Sequence, residues 1–236
     1  MKIDTYLEVG TKRTFASAAE WPGWSRSGPD EASALRALLD YGPRYAAVVR
    51  PARPGFQPPA DISAFEVVER LKGDATTDFG APGSIAASEE ASVDEAALRR
   101  LGSLLKACWR LFDETVAAAK GRTLRSGPRG GGRDLEKMLS HVLEAQHAYV
   151  SRLGWKSALG AAADSSGPAK QPRKARRSEN NEDQWQDALR ALAAAAHGDL
   201  PASGPRGGLY WPPRYFVRRA AWHVLDHAWE IQDRLG

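Results

Sequence analysis

The chain has 236 residues, 42% of them apolar and 26% charged, an ordinary composition for a globular protein with a sizeable core. A single cysteine excludes an internal disulfide, and no run approaches the roughly 18 apolar residues of a membrane-spanning helix. The net charge of +4 is too mild to announce a nucleic-acid surface, and "MKIDTYLEVGTKRTF" lacks the apolar centre of a secretory signal, so a cytoplasmic protein off the membrane is expected.

The runs "TYLEV" and "TFASAAEW", joined by the polar "GTKR", predict a strand pair. In "WPGW", Pro22 fixes its own φ and Gly23 can take a positive one, which predicts a turn. "DEASALRALLDYGPRYAAVV" then carries Leu35, Leu38, Leu39, Tyr45 and Val48 at helical spacing, bent or split by Gly42 and Pro43. In "AFEVVERL", Phe65 and Val67 alternate with Glu66, as a strand does. The small, polar "KGDATTDFGAPGSIAASEEAS", punctuated by proline and glycine, reads as a linker.

Beyond that point the period is helical. "SVDE", Ser92 to Glu95, fits a capping box and opens a helix with Leu98, Leu101, Leu105, Cys108, Phe112 and Val116 along one face. "GPRGGGRD" breaks the chain as a flexible connector; a second helix is expected from about Asp134 to Leu153, with Leu135, Met138, Val142, Ala145 and Tyr149 inward. "KQPRKARR" concentrates positive charge without stacking aromatics or a recognition helix, so a solvated loop and no nucleic-acid partner are expected. A third helix spans "NNEDQWQDALRALAAAA" through Trp185, Leu189 and Leu192, and a fourth starts near Pro213 after a long connector. The expected fold class is therefore α+β: a small α/β unit over 1–75, a linker over 76–91, and an all-α four-helix bundle over 92–236.

The five histidines carry the chemistry. His223 and His227, in "RRAAWHVLDHAWEIQDRLG", are four residues apart and so share one helix face, close enough for both imidazoles to reach one metal ion. They fall on an inward stripe with Phe216, Ala220 and Ile231, whereas Arg218 and Arg219 can point to solvent. Neutral imidazoles buried without partners are costly, so something must satisfy them. His141, between Met138 and Ala145 on the inward face of the second helix, is an available third ligand; His147 is turned toward solvent, and His197 suits the C-terminal end of the third helix.

Asp226 and Glu230 each lie three residues after a histidine of the pair, where either can accept an imidazole N–H or simply face solvent. Trp222 and Trp229 are expected to pack against a neighbouring helix or the N-terminal unit, and Cys108 to be a small buried hydrophobe. Arg214, Arg218 and Arg219 are candidates to clamp the carboxylates of a peptide-like thiol.

Two resemblances follow from these residues. "EWPGWSRSGPDEASAL", with Pro22, Gly23, Gly28, Glu31 and Ala32, resembles the HicB-like half of the ribonuclease-H fold, in which a strand pair leads through a turn into a helix and a last strand. HicB-type antitoxins add a DNA-binding segment; no such segment is visible here, so DNA binding is not carried over. "LSHVLEAQHAYVSRLGW" followed by "RYFVRRAAWHVLDHAWEIQDRL" resembles the DinB/YfiT-like superfamily over residues 92–236.

The second resemblance implies a four-helix bundle with a three-histidine site for a divalent metal, and places His141, His223 and His227 at its ligand positions. It puts Glu144 where members carry an acidic or polar group, a candidate catalytic base. It further implies a zinc or nickel cofactor that activates a low-molecular-weight thiol or a water on a small-molecule substrate, in a thiol-dependent transferase or a hydrolase. The alternative is a non-catalytic binding or regulatory protein with structural histidines, and either reading leaves room for a homodimer.

Overall fold

The computed structural model describes residues 2–52, 55–127, 132–161 and 181–235. The N-terminal part forms a four-stranded sheet. Strand β1 (Ile3–Val9) pairs antiparallel with β2 (Thr14–Ala18), and β2 with β3 (Ser25–Gly28). Strand β4 (Phe65–Lys72) joins the other side of β1 in parallel, giving the order β3-β2-β1-β4. The register shifts between Thr5 and Tyr6, which pair with Val67 and Glu69, so Val68 is the extra residue of a bulge.

Strand β3 has no signal in the sequence. Ser-Arg-Ser-Gly contains no β-branched or aromatic residue, and the strand is held by backbone pairing with β2. Between β3 and β4 lie helices α1 (Glu31–Asp40) and α2 (Gly42–Val49), so the expected single helix is split at Gly42 and Pro43. Asp30 caps α1 through Ser33 N–H. Trp24, fully buried, donates to Leu38 O at 2.8 Å and stacks on Tyr45, whose hydroxyl donates to Pro22 O at 2.9 Å. This small aromatic core ties the "WPGW" turn to both helices.

The stretch after β4 is structured. Asp74 caps helix α3 (Ala75–Phe79), and a 3₁₀ turn forms at Ala87–Glu89. Helix α4 (Glu95–Ala119) follows, capped by Asp94 through Ala97 N–H, where the sequence pointed to Ser92. The remaining helices are α5 (Leu135–Arg152), the single turn α6 (Ala158–Ala161), α7 (Asn181–His197) and α8 (Pro213–Leu235). The charged "KQPRKARR" stretch and residues 128–131 of "GPRGGGRD" lie outside the described residues.

The four long helices close on one another, α4 and α5 each packing against both α7 and α8. Trp109 of α4 stacks on Trp185 of α7 with centroids 4.7 Å apart, and Trp185 donates to Asp113 at 2.9 Å. Helix α8 is buried nearly all round because it also receives the sheet unit. Trp222 meets Phe15 of β2 edge-on and Trp229 meets Tyr41 beside α1, as expected of packing residues. Gly23, at φ 92°, brings the turn against α8, where an added Cβ would lie 3.0 Å from Ala221 and Leu225. One apolar core therefore runs through both parts.

Arg218 and Arg219, which the helical register left free to point to solvent, are buried. Arg218 pairs with Glu89 at 2.6 Å and donates to the carbonyls of Pro82 and Ser84, both at 2.8 Å. Arg219 donates to Pro82 O, and Arg214 to the carbonyls of Ala91 and Ser92. From the other side, buried Glu8 accepts the N–H groups of Gly83 and Ser84 and the Thr77 hydroxyl. Side chains thus satisfy the backbone of a segment with little secondary structure of its own, which allows it to be packed. No described helix is long and apolar enough to cross a membrane.

Candidate metal centre

Helix α5 carries His141 next to buried Val142, on the side that packs against α8. Helix α8 carries His223 and His227 one turn apart, 8% and 9% exposed, and His141 is half-buried. The rings meet edge-on, with centroids 5.0 Å apart for His141 and His223, 5.1 Å for His141 and His227, and 4.7 Å for His223 and His227. One nitrogen from each ring lies within 4.8 Å of the other two, close enough to bind one metal ion. The Nε2 atoms of His141 and His223 are 3.2 Å apart. Two nitrogens bound tetrahedrally at about 2.0–2.1 Å would be separated by about 3.3 Å.

Electrostatics keep two of these rings, His223 and His141, ready to act as ligands. Burial first, then His227, His141 and the charges of Arg219 and Arg133, holds His223 well below the ordinary imidazole pKa. His141 is lowered as well, by burial, His227 and Arg133, with Glu144 and Glu230 acting in the opposite direction. Neutral imidazole has the free lone pair that a metal requires.

Glu230 is the carboxylate that engages the cluster. It stands 3.2 Å from Nδ1 of His227 and also pairs with Arg234 at 3.0 Å. Its own pKa is lowered, chiefly by the hydrogen bond from His227. An Nδ1–H donated to Glu230 leaves Nε2 of His227 as the nitrogen free to bind. Asp226, the other candidate, turns away to Arg26 at 2.9 Å. Glu144 is exposed, and its link to His141 is the electrostatic one.

The other histidines stand apart. His147 is exposed, and His197 is exposed and pairs with Glu95 at 2.8 Å. Cys108 is fully buried, and burial pushes its thiol pKa up to about 12, so it packs as a small hydrophobe. The expected arginine clamp is not formed, because Arg214, Arg218 and Arg219 are engaged with the segment over residues 82–92.

Tyr149, assigned from the sequence only to the core, flanks the site, its ring edge-on to His223 at 5.7 Å. Its hydroxyl accepts from Arg219 at 3.4 Å. Eight residues separate it from His141, about two turns along the same helix face, and that spacing was the available signal.

No protein-family model, curated protein or solved structure matches this chain. Its chemistry must be read from its own residues.

Proposed function

We propose that this chain is a divalent-metal-dependent enzyme of the DinB/YfiT-like kind, with His141, His223 and His227 holding one cation and leaving a coordination position for a thiol or a water. The observation that carries this reading is the convergence of three imidazole nitrogens from two helices within 4.8 Å of one another. The donor set fits a borderline ion such as zinc or nickel: three imidazole nitrogens, two of them on buried rings, with a carboxylate behind one.

Bound there, such an ion would act as a Lewis acid that favours the thiolate of a low-molecular-weight thiol or acidifies a water. The chain's own groups do the rest. Glu230 fixes the His227 tautomer and ring orientation. Tyr149, beside His223, walls one side. Glu144, exposed and within electrostatic reach of His141, is the carboxylate that would take up a proton from an incoming nucleophile.

A second reading draws on the same 3.2 Å contact, which is also the length of a hydrogen bond from one neutral imidazole to another. In that reading the histidines tie α5 to α8 in a non-catalytic binding protein. Metal analysis separates the two: the enzyme reading expects about one divalent ion per chain, absent from a folded His223→Ala chain. A folded chain that takes up no ion when supplied with zinc or nickel would overturn it.

A further inference from the structure

Arg219 is a buried guanidinium without a counter-ion. Its neighbour Arg218 pairs with Glu89 at 2.6 Å, whereas no described carboxylate pairs with Arg219, although it is only 8% exposed. Its Nη1 donates to Pro82 O at 3.0 Å and its Nη2 reaches the Tyr149 hydroxyl at a long 3.4 Å. Its Nε is buried with no hydrogen-bond partner among the described residues. The rings of Tyr149 and Trp222, 5.5 and 5.2 Å from the guanidinium carbon, offset part of the charge without neutralising it. A buried cation left unpaired is costly. The Pro82 carbonyl does not require it, because Arg218 donates to the same oxygen at 2.8 Å.

The position of this charge gives it meaning. Arg219 lies one turn before His223 on the same face of α8, and its charge acts on that ring. Tyr149 meets His223 edge-on at 5.7 Å and is half-buried, as is Trp211 beside it, so this corner is not sealed from solvent. In the planar guanidinium fork, Nε–H and Nη2 share one edge. The free Nε–H of Arg219 is therefore on the edge that faces the Tyr149 hydroxyl, and that hydroxyl has no acceptor for its own proton among the described residues. Glu230, the carboxylate that engages the histidines, is already shared between His227 and Arg234.

We propose that Arg219 and Tyr149 form an anion subsite beside the histidine cluster, which takes the carboxylate of a small ligand whose sulfur or oxygen donor sits at the open coordination position. The assignment rests on the metal-enzyme reading: a divalent cation on imidazoles, which bring no negative charge, adds to the unpaired charge of Arg219 and calls for an anion. The carboxylate accepts from Nε and Nη2 of Arg219 and from the Tyr149 hydroxyl, displacing the long contact between them. The ligand's two groups must stand roughly one helical turn apart, about 5 Å. The subsite is one guanidinium with one phenol, not a clamp of three arginines.

The test uses the full chain, loaded with zinc and separately stripped by chelator, titrated calorimetrically with 3-mercaptopropionate and its neutral analogue 3-mercapto-1-propanol. On zinc-loaded protein the acid should bind about tenfold more tightly than the alcohol, as expected of a charge-assisted contact. Arg219→Met should bring that ratio to within about twofold, and Tyr149→Phe should lower it about threefold, both at unchanged zinc content. Arg219→Met should melt no lower than the wild type, since it removes an unpaired buried charge and leaves Pro82 O its Arg218 donor. Should Arg219→Met fail to fold, the Tyr149→Phe ratio decides, and an unchanged ratio rejects the subsite.

Zinc-loaded protein with equal affinity for the two probes, or a preference for the acid that survives Arg219→Met, rejects the subsite and leaves the metal centre standing. Stripped protein should bind both probes more weakly and keep the preference. A chain that takes up no zinc yet prefers the acid through Arg219 supports the subsite and rejects the metal-enzyme reading. One that takes up no zinc and shows no preference rejects both.

Discussion

His227 and Glu230 stand 3.2 Å apart, Nδ1 to carboxylate, and Arg234 braces the same carboxylate at 3.0 Å. This relay fixes which nitrogen of His227 faces His141 and His223. Glu230→Gln should therefore weaken divalent-ion binding by about 10–100-fold without unfolding the chain. Asp226→Asn should leave ion affinity unchanged, because Asp226 serves Arg26 instead. Competition against a chromophoric chelator measures both, and equal losses in the two variants would contradict the assignment.

Acid should destabilise the metal-free protein through the same cluster. His223 and His141 are held below their ordinary pKa, so below about pH 6.5 the unfolded chain takes up protons that the native state refuses. The associated stability is complete above that pH and is lost as pH falls from about 6.5 toward the depressed native values. Melting curves of chelator-treated protein should shift to lower temperature between about pH 7.5 and pH 5, and a His223→Gln chain should shift less. Parallel curves for the two chains would contradict this.

Arg218 and Glu89 form a buried ion pair that joins α8 to the segment after α3. Removing one partner leaves the other charged and buried, so Glu89→Ala should cost about 3–5 kcal/mol in chemical denaturation. Replacing both with leucine should cost less than the single change, because no charge is then left unpaired.

Cys108 should be inert in the native state. Its thiol is fully buried, and its pKa is pushed up to about 12. A thiol-reactive chromogenic reagent should label it only after denaturant is added. Rapid labelling of native protein would show that the interior of α4 opens far more readily than its packing implies.

The candidate site was legible because its signals are local and periodic. The i, i+4 spacing of His223 and His227 and the inward register of His141 require only helical geometry, and α5 and α8 supply it. Glu230 was legible for the same reason, though only coordinates could separate it from Asp226. What remained hidden depends on partners distant in sequence. Arg218 reads as a solvent-facing residue until Glu89 and the carbonyls of Pro82 and Ser84 are placed around it.

The small residues after β4 read as a linker for a related reason. Their order comes from Glu8 and the arginines of α8, not from any periodicity of their own.

X-ray absorption at the metal edge of zinc-loaded protein tests the central claim most directly. The account predicts a first shell of light atoms at about 2.0–2.2 Å with the outer-shell scattering of three imidazoles, falling to two in His141→Ala. A zinc spectrum without imidazole scattering, or one unchanged by His141→Ala, would contradict it.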